Sequence, residues 1–157
     1  LAVMRDGVVE QTGAPEAVYR TPANRFVAGF IGEGNFIEGR VEGCGPAGVT
    51  VATPHGTLRA ARAPAGVVAG DGVTLCLRPE SVRFERPSAD TPNILRGRYL
   101  ESVYLGEVAQ HVIALPLGQG GGLDFKAFEL NPLAGRDRAG QQAEVWVEPE
   151  QVIVTRD

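Results

Sequence analysis

Apolar residues fall along this chain in short pieces with two different periods, and the switch between them divides it. Leu1-Ala2-Val3-Met4 and Val8-Val9 flank Asp6-Gly7. Asp-Gly between β-forming residues predicts a two-residue hairpin, because a type I′ turn needs φ > 0 at both central positions. Two helix starts follow. Pro15 suits a first helical position, where its missing N–H costs nothing, and Glu16 sits near the positive helix end. Thr21-Pro22 repeats the arrangement, with Thr21 as the expected N-cap. Phe26, Val27, Phe30 and Ile31 then share one face at helical spacing, which predicts a stripe turned toward a core. Gly32 is expected to end this helix in the left-handed conformation. A strand pair and two small helices, residues 1–33, are too little to fold alone.

From Asn35 onward the period is two, and the pattern occurs twice. Asn35-Phe36-Ile37-Glu38-Gly39-Arg40 is matched by Asn93-Ile94-Leu95-Arg96-Gly97-Arg98. Residues 69–84 match residues 139–154 without a gap. Val73, Leu75, Leu77 and their counterparts Ala143, Val145, Val147 alternate with their neighbours as a half-buried strand does. Pro79-Glu80 and Pro149-Glu150 stop these strands, and a short strand follows each. Val49–Ala52 before the Pro54-His55-Gly56 turn and Gln110–Leu115 supply middle strands. Two motifs in the same order point to a duplicated β unit, with repeats at about 35–86 and 93–157 joined by Asp90-Thr91-Pro92. The expectation is a mainly β region, 34–157, of small OB-like barrels that hide their sheet edges by closing on themselves. Gly120-Gly121-Gly122 reads as a flexible loop rather than a phosphate cradle.

Composition narrows the function. The chain has 157 residues, 43% of them apolar and 22% charged, with 21 glycines and 11 prolines, which suits short strands joined by frequent turns. The net charge of −4, scattered arginines and a single lysine, Lys126, argue against a nucleic-acid partner. Tyr104 and Trp146 are too few and too separate to stack bases. No apolar run approaches the roughly 20 residues of a membrane helix. Cys44 and Cys76 have no metal spacing and read as reduced core thiols of a cytoplasmic protein. There is no secretory pattern, and the N-terminus at Leu1 reads as a cut inside a larger protein.

Residues 3–19, Val3 to Tyr19 with Gly13 and Pro15 among them, resemble the segment that closes the ATPase domain of ABC importer subunits. Residues 22–32, including Pro22, Phe26, Phe30 and Gly32, are similar to the helix that leads from there into the regulatory domain. Asn35 to Gly39, Leu77-Arg78-Pro79-Glu80 and Tyr104-Leu105-Gly106-Glu107 stand where the TOBE barrel of that family has its signatures. The resemblance implies an OB-like TOBE/MOP-type barrel that acts as a regulatory and dimerisation domain. It implies as partners a second copy of the chain, with possible exchange of segments, the parent's ATPase domain and, through it, membrane permease subunits at the inner face of the membrane. The chain holds no GxxxxGK[ST] loop and no LSGGQ-type signature. By resemblance, ATP and Mg belong to the parent, and no cofactor, metal or catalytic residue is expected in this chain. The barrel's wording is closer to polyamine or ferric-iron importers than to sulfate ones, and sugar importers share much of it.

The remaining polar residues carry plain readings. His55 in a turn and His111 on a strand lack ligand neighbours, so ordinary surface or core roles are expected. Arg78 and Glu80 suggest an interface ion pair, which if exposed would contribute only about 0–1 kcal/mol. TOBE modules that take molybdate-like oxyanions give an alternative function, for which Ser81, Thr50 and Arg98 are the available groups. An OB-type nucleic-acid binder is a third reading, disfavoured by the acidic balance.

Overall fold

The structure is a computed structural model, and it describes residues 1–85, 88–118, 121–132 and 138–156. Gly120, the repeat boundary at residue 86 and the terminus at residue 157 lie outside the described residues. Strands β1 (Ala2–Arg5) and β2 (Val8–Thr12) pair antiparallel. Asp6 and Gly7 take φ of 49° and 81°, as the predicted turn requires. Helix α1 (Pro15–Arg20) begins on Pro15, and helix α2 spans Arg25–Ile31. Val3, Val18 and Val27 are fully buried together and hold hairpin and helices as one small core.

Three local expectations are corrected here. Asn24, not Thr21, caps α2, accepting from the Val27 N–H at 2.9 Å. Thr21 instead closes α1, its hydroxyl donating to the Ala17 carbonyl at 2.8 Å. Gly32 follows α2 in extended backbone, φ −178°, because the last carbonyls are taken by a side chain rather than by a left-handed turn. The aromatic stripe also splits. Val27 and Ala28 face inward, whereas Phe30 is 64% exposed and stacks on Phe26 with ring centres 5.9 Å apart. Phe26 and Phe30 form an i,i+4 pair one residue round the helix from Val27 and Ile31, so they ride the edge of the buried face.

The β region comprises β3 (Asn35–Gly45), β4 (Gly48–Thr53), β5 (Gly56–Ala60), β6 (Gly72–Leu77), β7 (Val82–Arg83), β8 (Ile94–Tyr104), β9 (Val108–Leu117), β10 (Gly121–Leu130), β11 (Gln142–Val147) and β12 (Val152–Thr155). They form two five-stranded antiparallel sheets, ordered β12-β6-β3-β4-β5 and β10-β9-β8-β11-β7. The mainly β fold is as expected; the pairing is not confined to each repeat. Pro79 and Pro149 each open a single 3-10 turn after β6 and β11. Proline has no N–H for the ladder, so the strand ends there and the chain turns across. β7 of the first repeat therefore pairs with β11 of the second, Val82 opposite Val147. β12 of the second pairs with β6 of the first, Val152 opposite Leu77. The halves have traded closing strands.

Two asparagines at equivalent places stitch the exchange. Asn35 Nδ2 donates to the carbonyls of Leu77 at 3.1 Å and Lys126 at 2.8 Å, and its Oδ1 accepts from the Lys126 N–H at 2.7 Å. Asn93 Nδ2 donates to the carbonyls of Arg59 at 2.8 Å and Val147 at 3.0 Å, and its Oδ1 accepts from the Arg59 N–H at 2.6 Å. Lys126 and Arg59 lie on β10 and β5, the outer strands of the opposite sheets. Each amide thus mimics a strand residue and satisfies an edge that would otherwise be bare. Gly39 and Gly97 repeat for a steric reason. A Cβ on Gly39 would fall 2.5 Å from Val51 Cγ1, and one on Gly97 would fall 2.3 Å from the Ala114 carbonyl oxygen. One continuous core, including Leu58, Leu75, Leu95, Ile113, Phe125 and Val145, runs through both sheets.

Candidate functional site

Arg78 leaves the end of β6 in extended backbone and carries its side chain beneath the helices, 2% exposed. Nη1 donates to the carbonyls of Ala28 at 2.9 Å, Gly32 at 3.0 Å and Glu33 at 2.9 Å. A cation at the negative end of α2 is favourable, and here it also satisfies the orphan carbonyls there. The guanidinium carbon lies 4.4 Å from the centre of the Tyr19 ring. The Tyr19 hydroxyl donates to the Glu80 carboxylate. Burial, then that acceptor, pushes the Tyr19 phenol up to about 12. The Arg78–Glu80 ion pair expected from the sequence is not formed: Arg78 is enclosed and serves backbone carbonyls, while Glu80 is held by Tyr19.

Close approach makes small residues necessary around this cation. A Cβ on Gly32 would lie 3.2 Å from Tyr19 Cε2, and one on Gly34 would lie 2.7 Å from Cys76 Sγ. Cys76 is fully buried, and burial raises its thiol above the ordinary value while Arg78 opposes the shift. Cys44, by contrast, is exposed, so its reading as a core thiol is corrected. It lies toward the far end of β3, where Val41 is the last residue facing the core.

Arg78 also lines a groove of about 750 Å³ between α1, the chain around Pro64 and the two 3-10 turns. Tyr19, Pro22, Glu80, Ser81, Glu150 and Gln151 share that lining. Its charges are mixed: Glu16 is paired with Arg20 at 3.0 Å, and Arg62 stands exposed at the rim.

Of the residues singled out in the sequence, Tyr19, Pro22, Gly32, Arg78 and Glu80 come together here, with Pro79 buried in the adjoining turn. Gly13 closes the first hairpin, its N–H donating to the Leu1 carbonyl at 3.0 Å, and Pro15 starts α1. Asn35 works at the sheet junction. Phe26 and Phe30 border a separate apolar hollow, with the Arg5 guanidinium 4.9 Å from the Phe26 ring centre. Tyr104 and Gly106 sit at the tip between β8 and β9, where Gly106 has φ of 92° and Tyr104 is 53% exposed. Ser81, Thr50 and Arg98 make separate bonds, to Gln151, Gly43 and Gly140 respectively.

A second polar cluster escaped the sequence reading. His111 is 3% exposed, with Nδ1 2.8 Å from Ser102 Oγ and Nε2 2.9 Å from Glu129 Oε2. Arg138 donates to Glu129 at 3.0 Å and to the Tyr99 hydroxyl at 3.1 Å. Burial lowers His111 below its ordinary value, opposed by the hydrogen bond that its ring donates to the Glu129 carboxylate. The signal was present: Ala109, His111, Ile113 and Leu115 alternate, and the hairpin at Gly106 sets Ser102 opposite His111. His55 is half-buried in its turn, and burial lowers it too. Among the described residues, no group of three or more His, Cys, Asp or Glu could hold a metal. No helix among them is long and apolar enough to cross a membrane.

The family model described as TOBE domain matches residues 75–154. The chain is 36% identical over 157 aligned residues to the spermidine/putrescine import ATP-binding protein PotA of Frankia alni, covering 94% of this chain and 33% of that protein. It is 32% identical to the PotA of Roseobacter denitrificans, covering 96% of this chain and 40% of that one. It thus spans about a third of the length of the curated relatives it matches. Among solved structures, the cytoplasmic molybdate-binding protein ModG in a molybdate-bound form matches with a TM-score of 0.61 and 20% identity, over 76% of this chain and 94% of that one.

Proposed function

The chain belongs to the TOBE domain family, and from that premise we propose that it is the regulatory and dimerisation region of the ATP-binding subunit of an ABC importer. In this reading the parent binds ATP and Mg and couples hydrolysis to uptake, while this region has no catalytic role. The relatives, spermidine/putrescine import proteins, support a polyamine as the solute, ahead of ferric iron. Solute choice would be made by membrane subunits and an external binding protein rather than here.

The observation that carries the reading is the part of the likeness that lies outside the barrels. The similarity to the PotA proteins extends over 94–96% of the chain, and so takes in most of the hairpin and helices ahead of the barrels. The hairpin there is apolar and bare, with Met4 52%, Val8 67% and Val9 51% exposed. An apolar hairpin outside either sheet suits docking on a preceding ATPase domain. A second copy of the chain is the expected partner of the barrels, with segment exchange possible. The oxyanion alternative ranks behind, because Ser81, Thr50 and Arg98 are engaged separately and the likeness to ModG is one of fold.

Two measurements test this. Light scattering of the 157-residue chain at rising concentration is expected to approach twice the monomer mass of 16.6 kDa; a constant monomer mass removes the dimer assignment. In cells carrying the full-length gene, deleting residues 34–157 is expected to leave ATP binding intact and to uncouple or deregulate uptake of labelled spermidine. Unchanged uptake and unchanged control would reject the regulatory role.

A further inference from the structure

Arg78 is almost fully enclosed, yet its hydrogen bonding is half complete. Nη1 is shared by three carbonyls, whereas Nε and Nη2, the other edge of the same plane, meet no acceptor among the described residues. Folded proteins ordinarily avoid leaving donors of a buried cation unmatched. The carboxylate best placed in sequence to serve them, Glu80, is occupied by the Tyr19 hydroxyl. The same arginine lines the groove beneath α1.

We propose that this groove is a binding site for a small organic monocarboxylate, whose two oxygens accept from Nε–H and Nη2–H of Arg78. That edge of a guanidinium offers two parallel N–H bonds at the spacing of carboxylate oxygens, a match that a lysine cannot make. Ser81 and Gln151, in contact with each other at 3.4 Å, add polar groups to the same lining. Pro22, Pro64, Val152 and Val154 give the groove an apolar wall, which suits an aliphatic tail. Arg62, exposed on the rim, raises the local concentration of anions. Glu16 is neutralised by Arg20, but Glu80 and Glu150 line the same space, so a second negative charge would meet like charge. Singly charged carboxylates are therefore selected over sulfate, phosphate and dicarboxylates. The site is built from this chain alone and stands or falls independently of the importer assignment.

The test is a titration of the ¹⁵N-labelled 157-residue chain with sodium valerate, using sodium sulfate at matched ionic strength as the control. The expected result is a saturable shift of the Arg78 Nε–H resonance together with the amides of Tyr19, Ser81 and Gln151, and no saturable shift with sulfate. Arg78→Lys keeps the charge near the α2 carbonyls but lacks the fork, and is expected to bind valerate about tenfold or more weakly, the loss of a charge-assisted hydrogen bond. If that variant does not fold, Ala63→Trp, which narrows the groove without touching the guanidinium, carries the same expectation. An Nε–H signal that stays still, drifts linearly with concentration, or follows sulfate as strongly as valerate overturns the proposal. So does valerate affinity retained in the folded variants.

Discussion

Arg78 and His111 are both polar side chains at or below 3% exposure, and they respond differently to perturbation. Arg78 holds the end of α2 through three carbonyls, so Arg78→Ala leaves those acceptors without their donor. The expected cost is roughly 2–4 kcal/mol in urea unfolding, with the largest chemical-shift changes at Ala28, Gly32 and Glu33. Near-wild-type stability would mean that the helix end is satisfied otherwise. His111 acts through pH. Its folded-state pKa is lowered, chiefly by burial, with Glu129 and Arg138 facing it and Ser102 and Tyr99 alongside. The unfolded chain, near the ordinary value of about 6.5, therefore takes up a proton before the folded protein does. Stability is complete above that value, falls as pH drops through it, and levels off below the folded-state pKa. His111→Gln is expected to flatten this slope between about pH 7 and 5. A slope unchanged by the substitution would assign it to other groups.

At the scale of elements, the glycines and asparagines of the repeat do what side-chain patterns could not reveal. Gly97→Ala would drive a methyl group to 2.3 Å from the Ala114 carbonyl oxygen, and that is backbone, which cannot swing away. Gly39→Ala meets Val51 Cγ1 at 2.5 Å and the Ala52 carbonyl oxygen at 2.7 Å. Each is expected to cost at least about 1–3 kcal/mol, read as a fall in Tm, with Gly97 the worse. Asn35→Ala and Asn93→Ala each remove three bonds, two of them between the sheets, and are expected to lose about 2–3 kcal/mol. The hairpin, the two helices and the strand-stopping Pro-Glu pairs were legible, because turn chemistry and period are local. The extended Gly32 and the exposed Phe30 were not, the one decided by a partner distant in sequence and the other by one residue's rotation about a helix, whereas the Asn24 cap rests on a local bond from Val27 three residues on. The polar groove was partly legible: Tyr19, Pro22, Arg78 and Glu80 of its lining stood out as motif positions, but the burial of Arg78 depends on a contact 50 residues away in the chain.

For the whole molecule, one core threads both sheets and leaves no plane along which the repeats could part. Heating is therefore expected to give a single transition, with calorimetric and van't Hoff enthalpies in agreement. Two resolved transitions would show that each repeat is stable by itself. The traded strands β7 and β12 carry a sharper corollary. Each half lends the other its last strand, so a backbone cleaved between Glu85 and Ser88 would leave two pieces with mutually fitting gaps. Neither should fold in isolation, and mixed in equal amounts they should reassemble into the native barrels, a non-covalent heterodimer made from what was once a single chain.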